Sequence, residues 1–296
     1  MTGTKTLLQG LKSDHFRHPL DLKATQTLRQ LPGLDIAVRN LLGPVAEQVF
    51  YLDNIASSIQ VSDRQLPDIH KLLVEACSVL DLEMPELYLR QNPAPNAYTF
   101  AMRGKKPFIV LHTSIVDLLN PEELQAVIAH ELGHLKCDHG VYLTLANLLL
   151  LASDQLLPLG GLLTQGLQSQ MMQWIRCAEF TCDRAAMLVA QDSRVVASVL
   201  MKLAGGSPQL SQQLNLDAFL AQARSYDASV DTEIGQLLQE VQTTPLTHPL
   251  PVLRAREIDR WGSSNTYQKL LHKRSIHYNN EADDKDSDRQ GGWRNW

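Results

Sequence analysis

A chain of 296 residues that is 44% hydrophobic and 20% charged can bury a sizeable core as one large domain or two small ones. Its 27 basic and 32 acidic residues give a formal net charge of -5, which argues against a nucleic-acid binder, because phosphate neutralisation needs a basic surface. The four cysteines, Cys77, Cys137, Cys177 and Cys182, form no CxxC pair and no disulfide framework, so a reducing compartment is expected.

In the first 16 residues, Lys5, Lys12 and Asp14 interrupt the apolar positions. No apolar h-region is present, so no secretory signal is read there. Residues 1–20 are expected to be poorly ordered. From Asp21 to about Val49, Leu28, Leu31, Leu34, Val38, Leu41 and Leu42 recur at helical spacing, with Pro32-Gly33 between two helices. Asp63 to Leu80 reads as a third helix. The pattern then changes to strands at Glu86–Gln91, Ala97–Arg103 and Pro107–His112, the last two joined by a turn at Gly104-Lys105-Lys106. Helices resume and run to about Lys273. Residues 279–296 are mostly polar and cannot bury a core.

The chemistry lies in the helix after the strands. Asn120 can cap it, Pro121 suits its first position, and Glu123 sits three residues after the cap. Leu124, Val127, Ile128, Leu132 and Leu135 mark a buried face. On this helix lies His130-Glu131-Leu132-Gly133-His134. Residues four apart differ by about 40° around the axis, so the two histidines project side by side and can chelate one Zn²⁺. Glu131, rotated by about 100° from His130, can take a proton from water at the open position of the metal. Gly133 leaves room for a close neighbour.

A catalytic zinc also needs a third protein ligand. The position ten residues after His130 is Gly140, and the position twenty or so residues after His134 holds Ser153, so neither common spacing is met. His139 points about 140° from His134 on a straight helix and reads as a helix-end residue. Glu179 and Asp183 lie four apart in a second helical stretch, Arg176 to Ala190. One can bind the metal, and the other can accept the second ring N–H of a ligating histidine.

Together with Thr247-His248-Pro249 and Arg254, these motifs resemble the HtpX and CaaX-prenyl-protease type of zinc metallopeptidase, peptidase family 48, over roughly residues 60–262. The likeness is greatest to a short branch found in cyanobacteria and plastids. It implies that His130, His134 and Glu179 bind one Zn²⁺ per chain, that Glu131 is general base and acid, and that Asp183 buttresses a zinc histidine. It implies that His248 stabilises the oxyanion or gates the site, and that Arg254 fixes that region through a carboxylate. Asn96 and Ala97, opening a strand before the motif, would contact the substrate backbone.

The expected fold is α+β and helix-dominated: a zincin-like domain at residues 60–262, a helical extension at 1–59, and a helix end with a polar tail at 263–296. The expected function is a zinc metalloendopeptidase acting on protein or peptide substrates, linked by resemblance to membrane-associated quality control. The rival is a latent zinc-binding protein acting as a chaperone-like or regulatory binder. Residues 141–166 are strongly apolar, but neither apolar run reaches the roughly 20 residues needed to span a bilayer. They read as a core hairpin, a peripheral membrane contact or an oligomer contact, and the chain as cytoplasmic or peripheral to a membrane.

Overall fold

The computed structural model describes residues 5–30, 44–101, 106–140, 142–143, 161–230 and 248–272. Most of the interval 141–166, the Pro32-Gly33 break, the Gly104-Lys105 part of the turn and the polar tail lie outside the described residues.

The described elements are α1 (Pro19–Arg29), α2 (Pro44–Ser57), β1 (Ile59–Gln60), α3 (Pro67–Leu80), β2 (Glu86–Arg90), β3 (Ala97–Phe100) and β4 (Phe108–His112). They continue as α4 (Thr113–Leu118), α5 (Pro121–Lys136), α6 (Gly161–Ala190), α7 (Ser193–Gly205), α8 (Leu216–Val230), α9 (Pro251–Gly262) and α10 (Asn265–His272). The strands form one mixed sheet in the order β1-β2-β4-β3. β2 runs parallel to β4, and β1 and β3 are antiparallel to their neighbours. The three strands expected from the sequence are present, and the two-residue β1 joins them at one edge. β3 holds the other edge, pairing with β4 on one side (Thr99 opposite Ile109).

The start of α5 follows from its local chemistry. Asn120 Oδ1 accepts from Glu123 N at 2.9 Å, and Glu123 Oε2 accepts from Asn120 N at 2.9 Å. Two amides that helix geometry leaves orphaned are thereby satisfied, and Pro121 has no amide to satisfy. Lys202 and Ser198 on α7 also bind the Glu123 carboxylate, at 2.6 and 2.7 Å, so the cap ties two helices together. The apolar face of α5 (Leu124, Ile128, Leu132, Leu135) enters one core with Leu73 and Leu80 of α3 and Ile109 and Leu111 of β4.

α5 and α6 pack along each other. Residue 130 meets 183, residue 134 meets 179, and residue 139 meets 174, so the two helices run antiparallel. Gly133 permits this approach: a Cβ there would lie 2.8 Å from the Ala185 Cβ and 3.1 Å from the Cys182 Cα.

The first residues depart from expectation. Residues 5–18 form no long helix, yet Leu8, Leu11 and Phe16 are buried in the main core. The Gln191 side chain brackets Thr6 through both its amide groups, at 3.0 and 2.8 Å, and Leu8 N donates to Val79 O at 3.1 Å. An irregular segment that buries three side chains at uneven spacing has no period to read, which is why it resembles a tail in the sequence.

Gly133→Ala tests the helix seam. It gains roughly 1 kcal/mol of helix propensity, but forces backbone apart at a cost of about 1–3 kcal/mol. The expected outcome is a lower urea midpoint; a raised midpoint contradicts the close approach.

Candidate metal centre

α5 sets the His130 and His134 rings 5.2 Å apart, centroid to centroid. α6 brings Glu179 between them: Oε2 lies 3.3 Å from His130 Nε2, and Oε1 lies 3.4 Å from His134 Nε2. His130 Nδ1 lies 3.1 Å from Asp183 Oδ1. An N–H there holds the ring's other nitrogen, Nε2, toward Glu179. Asp183 is gripped in turn by Arg254, whose Nη2 donates to Oδ1 at 2.6 Å and Nε to Oδ2 at 2.8 Å. Arg254 Nη1 also lies 3.3 Å from Glu179 Oε2. His248 approaches the same oxygen at 3.6 Å, with 56% of its side chain exposed. The structure thus brings His130, His134, Glu179, Asp183, His248 and Arg254 together from α5, α6, α9 and the segment before α9.

The electrostatics follow from burial and charge. Burial pushes the Glu179 carboxyl up, but His248, His130 and Arg254 outweigh it and hold it well below the usual range. Burial likewise raises Asp183, and Arg254 and His130 bring it below its ordinary value. Burial lowers His130, but Glu179 and Asp183 raise it to about 10. This describes the centre without metal.

The residues present fit a divalent cation. Glu179 Oε2 is buried and makes no hydrogen bond of sound geometry, despite the cationic groups beside it. The carboxylates of Glu131, Glu179 and Asp183, set against the one guanidinium of Arg254, leave two formal negative charges when the histidines are neutral. Two imidazoles and a carboxylate are a normal donor set for zinc. Cys182 is a second candidate. With His130 and His134 it offers ligand atoms within 4.8 Å of one another. Burial, Glu179 and Cys137 push its thiol well above the ordinary value, so the thiolate form is disfavoured where the Glu179 carboxylate is favoured.

Glu131 is buried and turned toward the sheet. Thr99 Oγ1 on β3 donates to Glu131 Oε2 at 2.7 Å. The cleft beside it, about 90 Å³, is bordered by Asn96, Ala97, His248 and the apolar side chains Val196, Val199 and Leu203 of α7. Asn96 is exposed at its mouth, and its carbonyl accepts from His112 N at 3.0 Å. That carbonyl is therefore spent on β4, whereas the outer edge of β3 is unpaired among the described residues.

Three residues here escape a reading by spacing. Thr99 has no motif. Cys182 carries no pattern of its own. His139 is only 1% exposed, and its Nδ1 lies 3.2 Å from His134 Nδ1, contrary to the orientation expected on a straight helix. The helix ends at Lys136, Asp138 takes a left-handed φ of 56°, and His139 N then donates to His134 O at 2.9 Å. The chain turns back on itself, and the ring returns to His134. An Asp just past a helix end, able to adopt the left-handed region, is the one local signal for this.

The model for peptidase family M48 matches residues 63–262. The plastoglobule-localized metallopeptidase 48, chloroplastic, of Arabidopsis thaliana is 56% identical over 265 residues, covering 90% of this chain and 77% of that protein. Protease HtpX homolog 2 of Methanosarcina mazei is 28% identical over 54% of this chain and 64% of its own length. A protease HtpX homolog of Moorella thermoacetica is 24% identical over 60% of this chain and 69% of its own length. No solved structure matches the chain significantly. With a helix-dominated α+β fold around the paired histidines, and the family model spanning two thirds of its length, the chain belongs to peptidase family M48, a family of metallopeptidases.

Proposed function

We propose that the chain is a zinc-dependent metalloendopeptidase that cleaves protein substrates bound extended along the edge of β3. The observation that carries this reading is the Glu179 carboxylate lying 3.3 and 3.4 Å from the two Nε2 atoms, next to a carboxylate one residue after the first histidine. His130, His134 and Glu179 would hold the ion. Zinc bound there would polarise the scissile carbonyl and lower the pKa of water toward about 7.

The chain's own groups perform the remaining steps. Glu131 takes the proton of the attacking water and delivers it to the leaving amine. Thr99 aims that carboxylate and ties it to the strand that carries substrate, so base and scissile bond share one frame. His248, partly exposed beside Glu179, donates to the oxygen that gains negative charge. A substrate paired to β3 is recognised chiefly through its main chain, which suits loose sequence preference. The Arabidopsis relative's name places that protein at plastoglobules, and no helix among the described residues is long and apolar enough to cross a membrane. The proposed peripheral location rests on that relative, and the proposed part in protein quality control on the resemblance to HtpX-type peptidases.

A second reading is latency. The cleft of about 90 Å³ is small beside the roughly 300 Å³ of an ordinary ligand pocket, and His248 stands at its rim. In that reading the segment carrying His248 covers the site, and the protein binds partners as a chaperone-like or regulatory factor. Casein left intact by the zinc-loaded wild type and cleaved once that segment is replaced would show the covering; casein left intact by both would favour the binding role.

Glu131→Gln is expected to bind zinc stoichiometrically and to lose at least about a hundredfold in casein cleavage; wild-type turnover in that variant contradicts the assignment. Proton linkage supplies an independent check. Glu179 and Asp183 outweigh burial and push His130 of the metal-free protein up to about 10, which favours its protonated form at pH 7, so zinc must displace that proton. About one proton should be released per zinc bound at pH 7, and affinity should rise as pH increases toward that value. Calorimetry in buffers of different ionisation enthalpy measures this; zero release contradicts it.

A further inference from the structure

Helix α1 precedes the region that matches family M48, yet one of its side chains holds a histidine that touches the metal centre. Asp21 is fully buried. Its Oδ2 accepts from Thr181 Oγ1 at 2.7 Å, lies 3.1 Å from His139 Nε2, and has Arg17 Nε at 3.3 Å. Its Oδ1 accepts from Thr25 Oγ1 at 3.0 Å, and that hydroxyl accepts from Trp174 Nε1 at 2.9 Å. The carboxylate is therefore held on both oxygens, and it holds His139. The other nitrogen of His139 lies 3.2 Å from His134 Nδ1, with Cys182 Sγ farther off at 3.8 Å. The opposite side of the His134 ring, Nε2, faces Glu179.

The protons on these rings follow from what each partner can do. A carboxylate only accepts, so a neutral His139 carries its proton on Nε2 and presents a lone pair at Nδ1. A lone pair needs an N–H opposite, so His134 carries its proton on Nδ1. Nε2 of His134 is then the nitrogen whose lone pair is available to an ion held jointly with Glu179, the form that a metal requires. We infer that Asp21, acting through His139, is a positioning residue that sets the ligating tautomer and orientation of His134. His130 receives the same support from Asp183 in one step. The metal affinity of the peptidase domain thus depends on a residue of the N-terminal extension. This rests on the zinc reading above.

The test measures Zn²⁺ affinity of the full-length chain by competition with a chromogenic chelator, and urea stability of the metal-free protein. Asp21→Asn keeps the volume and removes the charge. His139→Phe keeps a ring beside Trp174 and removes both nitrogens. Each should weaken Zn²⁺ binding by about 10–100-fold, the usual cost of losing a partner behind a ligating histidine. Leu28→Ala, which opens a hole between α1 and the Met171–Trp174 cluster, should lower the urea midpoint and leave the affinity within threefold of wild type. Wild-type affinity in His139→Phe overturns the inference even if Asp21→Asn fails to fold, and so does an equal affinity loss in Leu28→Ala. A wild-type chain that binds no Zn²⁺ instead defeats the zinc reading, and this inference with it.

Discussion

A carboxylate with almost no exposure, set against two imidazoles, is an expensive arrangement. Removing a charge from water costs several kcal/mol even after relaxation. Glu179 is 2% exposed, and its neighbours keep it ionised: His248 at 3.6 Å, His130 across the helix seam and Arg254 at 3.3 Å. The rest of the molecule can be understood as what holds this group in place. Gly133 lets α6 come close enough to α5 for Glu179 to reach the histidines. Asp183, four residues on, lies on the same face, where it serves His130 and anchors Arg254. The capping box and the Lys202 bridge fix where α5 starts and how it meets α7.

The same seam explains why the centre is negative overall. Three carboxylates face one guanidinium, and one carboxylate oxygen is left without a sound hydrogen bond. Buried polar groups in folded proteins are nearly always satisfied. An orphan oxygen 3.3 Å from His130 Nε2, on a carboxylate whose other oxygen faces His134, is the sort of exception that a cation resolves. Cys182 lies near enough to offer sulfur instead, but burial disfavours its thiolate. The proposal of the carboxylate as third donor rests on geometry, its two oxygens lying 3.3 and 3.4 Å from the two Nε2 atoms.

What could be read from the sequence follows from what is periodic or locally capped. Asn120, Pro121 and Glu123 announce the start of α5, and its apolar stripe announces the buried face. The alternation of Leu87 and Leu89 with polar neighbours marks β2, and the short apolar run Phe108–Leu111 after a Gly-Lys-Lys turn marks β4. The i,i+4 spacing of Glu179 and Asp183 predicts a shared face, and the structure places both beside His130. Contacts that depend on reversal or on distant pairing were not legible. The left-handed Asp138 returns His139 to His134, where a straight helix would carry it away. Thr99 meets Glu131 only because β3 packs on α5. Leu8, Leu11 and Phe16 enter the core from a segment with no period. Asp21 lies 118 residues before His139, and nothing local to either residue predicts the pairing.

The central claim concerns which atoms surround the ion, and X-ray absorption of the zinc-loaded chain tests it most directly. The account predicts a shell of nitrogen and oxygen at roughly 2.0–2.2 Å with no sulfur. A sulfur shell near about 2.3 Å would place Cys182 where Glu179 is assigned, and would contradict it.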